Sequence, residues 1–124
     1  MINKNSTKEE VLEAVKKYGW LINYASDRLK DDKEVVLEAV KKDGYYLRYA
    51  SDRLKNNKEV VFEAVKEGIY SIDYASDKIQ ILVGEDYFNA INILEDAIEK
   101  EKLAEKLTIE LTEKDDIIIK KVKI

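Results

Sequence analysis

Setting Val11, Val36 and Val61 in register aligns most of the first eighty residues at a fixed spacing of 25, without a gap. Glu9, Glu34 and Glu59 coincide, as do Ala14, Ala39 and Ala64, then Val15, Val40 and Val65. Lys16, Lys41 and Lys66 follow, and after them Tyr24, Tyr49 and Tyr74. A unit of this size cannot bury an apolar face alone, so the repeat predicts neighbours stacked in an array around a shared core.

Each unit reads as a helical hairpin. The first helix of the second copy is written DDKEVVLEAVKK, with apolar Val36, Leu37 and Val40 on one stripe beside Ala39. Ser6, Asp31 and Asn56 each stand three residues before a glutamate, the spacing of a capping box. Thr7, Asp32 and Asn57, one place later, are equally good caps, and the sequence leaves both open. Gly19 and Gly44 are expected to end the first helix in a left-handed conformation, with Lys16, Lys17, Lys41 and Lys42 at the negative end of its dipole. In the third copy the glycine stands one place earlier, at Gly68.

The second helix carries the phrase YASDRLK, from Tyr24 to Lys30 and again from Tyr49 to Lys55, with a looser copy from Tyr74 to Gln80. Ile22, Ala25, Ser26 and Leu29 fall at helical spacing, and so do their counterparts in the next two copies. The serine invites a reading as a nucleophile. It lacks a base, because the chain has no histidine and the adjacent Asp27 or Asp52 points about 100° away on a helix. Three equivalent packing faces suit a scaffold better than three equivalent active sites suit an enzyme. Ala and Ser are therefore expected to pack with Leu against the next helix, while Tyr, Asp and Arg face outward.

The pattern DKEVVLEAVKKDGYYLRYASDRLKNNKEVV, Asp32 to Val61, resembles the signature of a short helical-repeat family known as a domain of unknown function and found in bacteria and large DNA viruses. The resemblance covers about residues 6–80. It implies a helical-repeat fold and no particular activity.

Beyond the repeats the period persists and then changes. From Glu85 to about Leu107, Tyr87, Ala90, Ile91, Leu94, Ala97 and Ile98 lay down a helical stripe that Leu103, Ala104 and Leu107 extend. This helix is expected to close the open end of the array, over residues 81–107. From Thr108, TIELTE alternates polar and apolar residues, KDD offers a turn, and IIIKKVKI is rich in β-branched residues. Residues 108–124 thus read as a β-hairpin, with a short final helix begun at Thr112 as the rival. An open hairpin edge would offer a route to a homodimer. The fold class is mainly α: a short α-solenoid of three hairpins, a long helix and a C-terminal β-hairpin, in one domain over 1–124.

Composition narrows the chemistry. With no cysteine and no histidine, the chain lacks the usual thiolate, the commonest metal ligand and the commonest general base. The net charge of −4 is concentrated at one end: residues 1–80 carry 15 basic and 15 acidic side chains, residues 81–124 carry 7 and 11. That is not the basic footprint of a nucleic-acid binder. The doublets Asp31-Asp32 and Asp115-Asp116 lack the spaced loop of a calcium site, and no glycine loop for phosphate is present. No catalytic residue, no metal site and no cofactor is expected. No apolar run approaches the length of a membrane span, so a cytoplasmic protein without a membrane partner is expected.

Two surfaces remain as candidates. Trp20, Tyr45 and Tyr70 recur just after the turn, with Tyr46 beside them and with Asn23, Arg48 and Asp73 differing between copies. Tyr, Trp and Arg are enriched at binding hot spots, and a row of them suggests a protein-binding face. Covering the edge of the core is an equally good account of such aromatics. The acidic helix, with Glu95, Asp96 and Glu99, suggests instead a small phage-type inhibitor that occupies a basic groove in place of nucleic acid. Keeping the outer face soluble is the plainer role for those acids.

Overall fold

The computed structural model describes residues 1–122. The described residues are built from α-helices and 3-10 turns, without a strand. Helix α1 (Lys8–Lys17) is followed by a 3-10 turn (Gly19–Tyr24) and the short helix α2 (Asp27–Lys30). The same sequence of elements recurs as α3 (Lys33–Lys42), Gly44–Tyr49 and α4 (Asp52–Lys55), then as α5 (Lys58–Glu67), Ile69–Tyr74 and α6 (Asp77–Val83). A 3-10 turn, Tyr87–Asn89, leads into α7 (Ala90–Val122).

Helices α1, α3, α5 and the start of α7 lie side by side as one layer, and the 3-10 turns stack on one another as a second. Between the layers runs a continuous core: Val11, Val36 and Val61, Val15, Val40 and Val65, then Ile22, Leu47 and Ile72, with Leu29, Leu54 and Ile79. These residues recur at the 25-residue spacing, so the core itself is periodic. Ala90, Leu94 and Ile98, at successive i+4 positions, bring α7 down on α5 as a fourth helix of the layer.

The helix starts are decided by side-chain caps. Thr7, Asp32 and Asn57 are the N-caps of α1, α3 and α5, and Thr7 forms a full capping box with Glu10. Ser6, Asp31 and Asn56 are not N-caps; Asp31 and Asn56 are instead the C-caps of α2 and α4.

Three expectations are corrected. First, the second half of each repeat is not one helix. Ala25, Ala50 and Ala75 are extended, and the chain enters α2, α4 and α6 through Ser26, Ser51 and Ser76, whose hydroxyls accept from the amides of Leu29, Leu54 and Ile79 at 3.3 Å. The alanines are buried as expected, but the serines are N-caps, not part of a packing stripe. Second, Gly19 and Gly44 are not left-handed; among the described residues only Gly84 has a positive φ, 71°. A Cβ on Gly44 would stand 2.1 Å from Ser71 Oγ and 2.2 Å from the Ala64 carbonyl, and one on Gly19 would stand 2.9 Å from Lys42 Cβ. These glycines are required by close approach to the next repeat. Gly68 has nothing nearer than 3.8 Å, in keeping with its shifted place.

Third, there is no β-hairpin. α7 runs unbroken from Ala90 through Val122, overturning both the hairpin over 108–124 and a separate helix begun at Thr112; Lys123 and Ile124 lie outside the described residues. Thr108 and Thr112, read as strand residues, donate their hydroxyls to the carbonyls of Ala104 and Thr108 one turn back, each at 2.9 Å. The KDD segment has neither the glycine nor the asparagine that a tight hairpin turn favours. An isolated two-stranded hairpin is marginal, whereas a helix already nucleated on the core extends at little further cost. With the hairpin goes the dimer through its edge.

Candidate functional site

The aromatic candidates sit on the 3-10 layer, and the structure gathers them into three groups. In the middle group the Arg48 guanidinium lies 5.0 Å from the Tyr45 ring centre, 5.5 Å from Tyr49 and 5.9 Å from Tyr74. Arg48 also donates to the Tyr45 hydroxyl. Tyr45 meets Tyr74 edge to face at 5.3 Å, and Tyr46 stacks on Tyr49 at 6.4 Å. Tyr74 comes from the following repeat, so this group spans a repeat boundary. A cation over aromatic faces gains electrostatically, and the rings hold the long arginine side chain in place.

Around Trp20, Tyr18 and Tyr24 lie at 6.5 and 6.1 Å, all three exposed, with Asn23 also exposed. In the third group Tyr70 meets Tyr87 at 6.1 Å, and the Tyr87 hydroxyl donates to the Asp73 carboxylate at 2.6 Å. That bond to Asp73, with some burial, raises the phenol above its ordinary pKa.

The structure therefore joins Tyr45, Tyr46 and Arg48 directly, and Tyr70 with Asp73 through Tyr87. Trp20 and Asn23 belong to a separate group. Tyr49, Tyr74 and Tyr87 are partners that the repeat pattern did not assign to the site. Tyr74 stands 29 residues after Tyr45, outside any hairpin, and Tyr87 lies beyond the repeats.

The acidic candidates lie on the other layer. Glu95 and Glu99 border a groove of about 320 Å³ between α3, α5 and α7, whose apolar lining is Leu37, Phe62 and Ile98. Glu59 and Glu63 add further carboxylates, and Lys41 and Lys102 offset them. Glu59 is held below its ordinary pKa, chiefly by the Lys33 ammonium at 2.7 Å. Asp96 pairs with Lys100 at 2.8 Å, so its charge is already met on its own helix. Among the described residues no three carboxylates gather as a metal site would require.

The family comparison finds the domain of unknown function DUF4116 at residues 7–50 and again at 32–80. The chain belongs to this family. The two DUF4116 matches share the middle repeat, so one family unit corresponds to two successive 25-residue repeats. The aromatic groups thus rest on DUF4116 units, except for Tyr87, while Glu95, Asp96 and Glu99 lie beyond the matched residues. No curated protein and no solved structure matches the chain. Among the described residues, no helix is long and apolar enough to cross a membrane.

Proposed function

We propose that this chain is a non-catalytic protein-binding module of the cytoplasm that engages its partner through the aromatic edge of the 3-10 layer. The observation that carries the reading is Arg48, exposed yet held over three tyrosine rings from two repeats. Rigid aromatics with an arginine already ordered lose little side-chain entropy on binding, which is what makes such residues hot spots. Trp20 and Tyr70, exposed on the neighbouring units, extend the same edge.

The test is quantitative capture of partners from host lysate, followed by affinity measurement on each partner identified. Arg48→Ala and Tyr45→Ala together are expected to weaken binding at least tenfold. Lysines in place of Glu95, Asp96 and Glu99 should leave it unchanged. The opposite pattern, with binding that weakens steeply as salt rises, would favour the phage-type inhibitor acting through α7.

A further inference from the structure

The guanidinium of Arg48 has one side in use and one side free. Its Nη1 donates to the Tyr45 hydroxyl, whereas Nε and Nη2, which together form the side edge of the group, meet no acceptor among the described residues. Three tyrosine rings at 5.0 to 5.9 Å hold the side chain in this setting while it stays exposed. What such an edge takes is shown elsewhere in the chain. Arg53 Nε donates to Asp31 Oδ1 at 2.8 Å, and its Nη2 donates to the Asp31 carbonyl at 2.6 Å. The fork of Arg53 is thus filled by an acidic residue of the preceding repeat, and among the described residues no carboxylate pairs with Arg48.

The fold does not call for a cation at this place. Asn23, Arg48 and Asp73 each follow directly after the equivalent buried residues Ile22, Leu47 and Ile72, so the core accepts a neutral, a basic or an acidic neighbour there. An ordered arginine with an open fork is a surface feature of the middle repeat alone.

We propose that the partner engaged by the aromatic edge presents an aspartate or glutamate carboxylate to Nε and Nη2 of Arg48, with apolar surface beside it against Tyr45 and Tyr74; this rests on the reading of that edge as the binding face. The planar fork matches the two oxygens of a carboxylate, and two parallel charge-assisted bonds fix its orientation as well as attract it. Tyr45, exposed and edge to face with Tyr74, offers ring surface to the apolar stem that carries the carboxylate. Charge along the edge decides against a polyanion. A phosphate backbone requires a row of cations, whereas the places equivalent to Arg48 hold neutral Asn23 and acidic Asp73. One free fork between them suits one carboxylate.

Benzoate, a carboxylate on a ring, is the probe, with benzamide as its uncharged counterpart and phenyl phosphate as the competing anion. The arginines of the chain are Arg28, Arg48 and Arg53, so their Nε–H signals can be followed singly by NMR of the full, isotope-labelled chain. In low salt, benzoate should shift the Arg48 signal with half-saturation at roughly 10 mM. The Arg53 signal, already engaged by Asp31, should stay in place, and benzamide should shift neither. Arg48→Asn, which copies the first repeat and so keeps the fold, should abolish the saturable shifts at the Tyr45 ring. Arg48→Lys, which keeps the charge and loses the fork, should weaken them at least threefold. A silent Arg48 signal, an equal response to benzamide, undiminished binding in Arg48→Lys, or tighter binding of phenyl phosphate than of benzoate would each overturn the carboxylate while leaving capture of a partner by the edge intact. Capture unchanged by the Arg48 and Tyr45 substitutions would instead remove the edge, and this assignment with it.

Discussion

At the scale of single residues, the phrase YASDRLK is a joint between repeats. The Ser51 hydroxyl donates to Asp31 Oδ1 at 2.5 Å, Arg53 Nε reaches the same oxygen at 2.8 Å, and the Ser51 amide bonds the Lys30 carbonyl at 3.0 Å. One unit on, the Ser76 hydroxyl donates to Asn56 and its amide to Lys55. Ser51 and Ser76 therefore each cap their own helix and staple it to the end of the preceding copy. The Ser51 hydroxyl and then Arg53 hold the Asp31 carboxyl below its ordinary pKa. A depressed carboxylate adds stability that is complete above its unfolded value, about 4, and is lost as pH falls through the lower folded value. Asp31→Asn, which copies the Asn56 joint, should thus shrink the drop in thermal midpoint as pH falls below about 4. An unchanged pH profile would show that the joint does not depend on this charge. The serine's role was hidden in the sequence because the side chain it meets lies 20 residues back, in another copy.

At the scale of elements, the first helix of each repeat was legible and the second was not. Lys8–Lys17 and its copies follow from a cap, an apolar stripe and terminal lysines. Ile22, Ala25 and Leu29 fit an α-helix and are buried, but Ile22 is turned inward by the 3-10 turn and Leu29 by the separate helix α2, on either side of the extended Ala25. What selects the 3-10 turn is room. Gly44 must come within a Cβ's reach of Ala64 and Ser71 in the next repeat, a packing constraint that no local pattern encodes. Gly44→Ala should destabilise the fold by about 1–3 kcal/mol through overpacking. Gly68→Ala, with ordinary contact distance around it, should cost far less. Comparing their urea midpoints checks the point, and equal losses would remove close approach as the reason for Gly44. In α7, the β-branched run of Ile117 and Ile118 was misread as a strand because strand preference reports fit to a half-buried sheet, and no sheet is present among the described residues.

At the scale of the whole molecule, α7 takes the place of a fourth repeat. Lys8 pairs with Glu34 at 3.1 Å, Lys33 with Glu59 at 2.7 Å, and Lys58 with Glu101. The lysines recur at the spacing of 25, and where the next acid would fall, Gly84 stands instead. Glu101 supplies that acid from α7, which runs antiparallel to α5 with Lys102 also beside Glu59. Ending the chain at Gly84 would uncover the core that Ala90, Leu94 and Ile98 now close, and should lower the thermal midpoint by about 10 °C or more. Ending it at Lys102 should change the midpoint by no more than about 2 °C. A small loss from the first truncation would mean that the repeats stand without a closing helix. By itself the sequence determined the periodic core, the first helices, the closing role of a final helix and the absence of histidine and cysteine chemistry, because these depend on residue type and spacing along one strand of chain. The tertiary structure decided the 3-10 turns, the serine joints and the tyrosines around Arg48, because each depends on which residues of one copy meet those of the next.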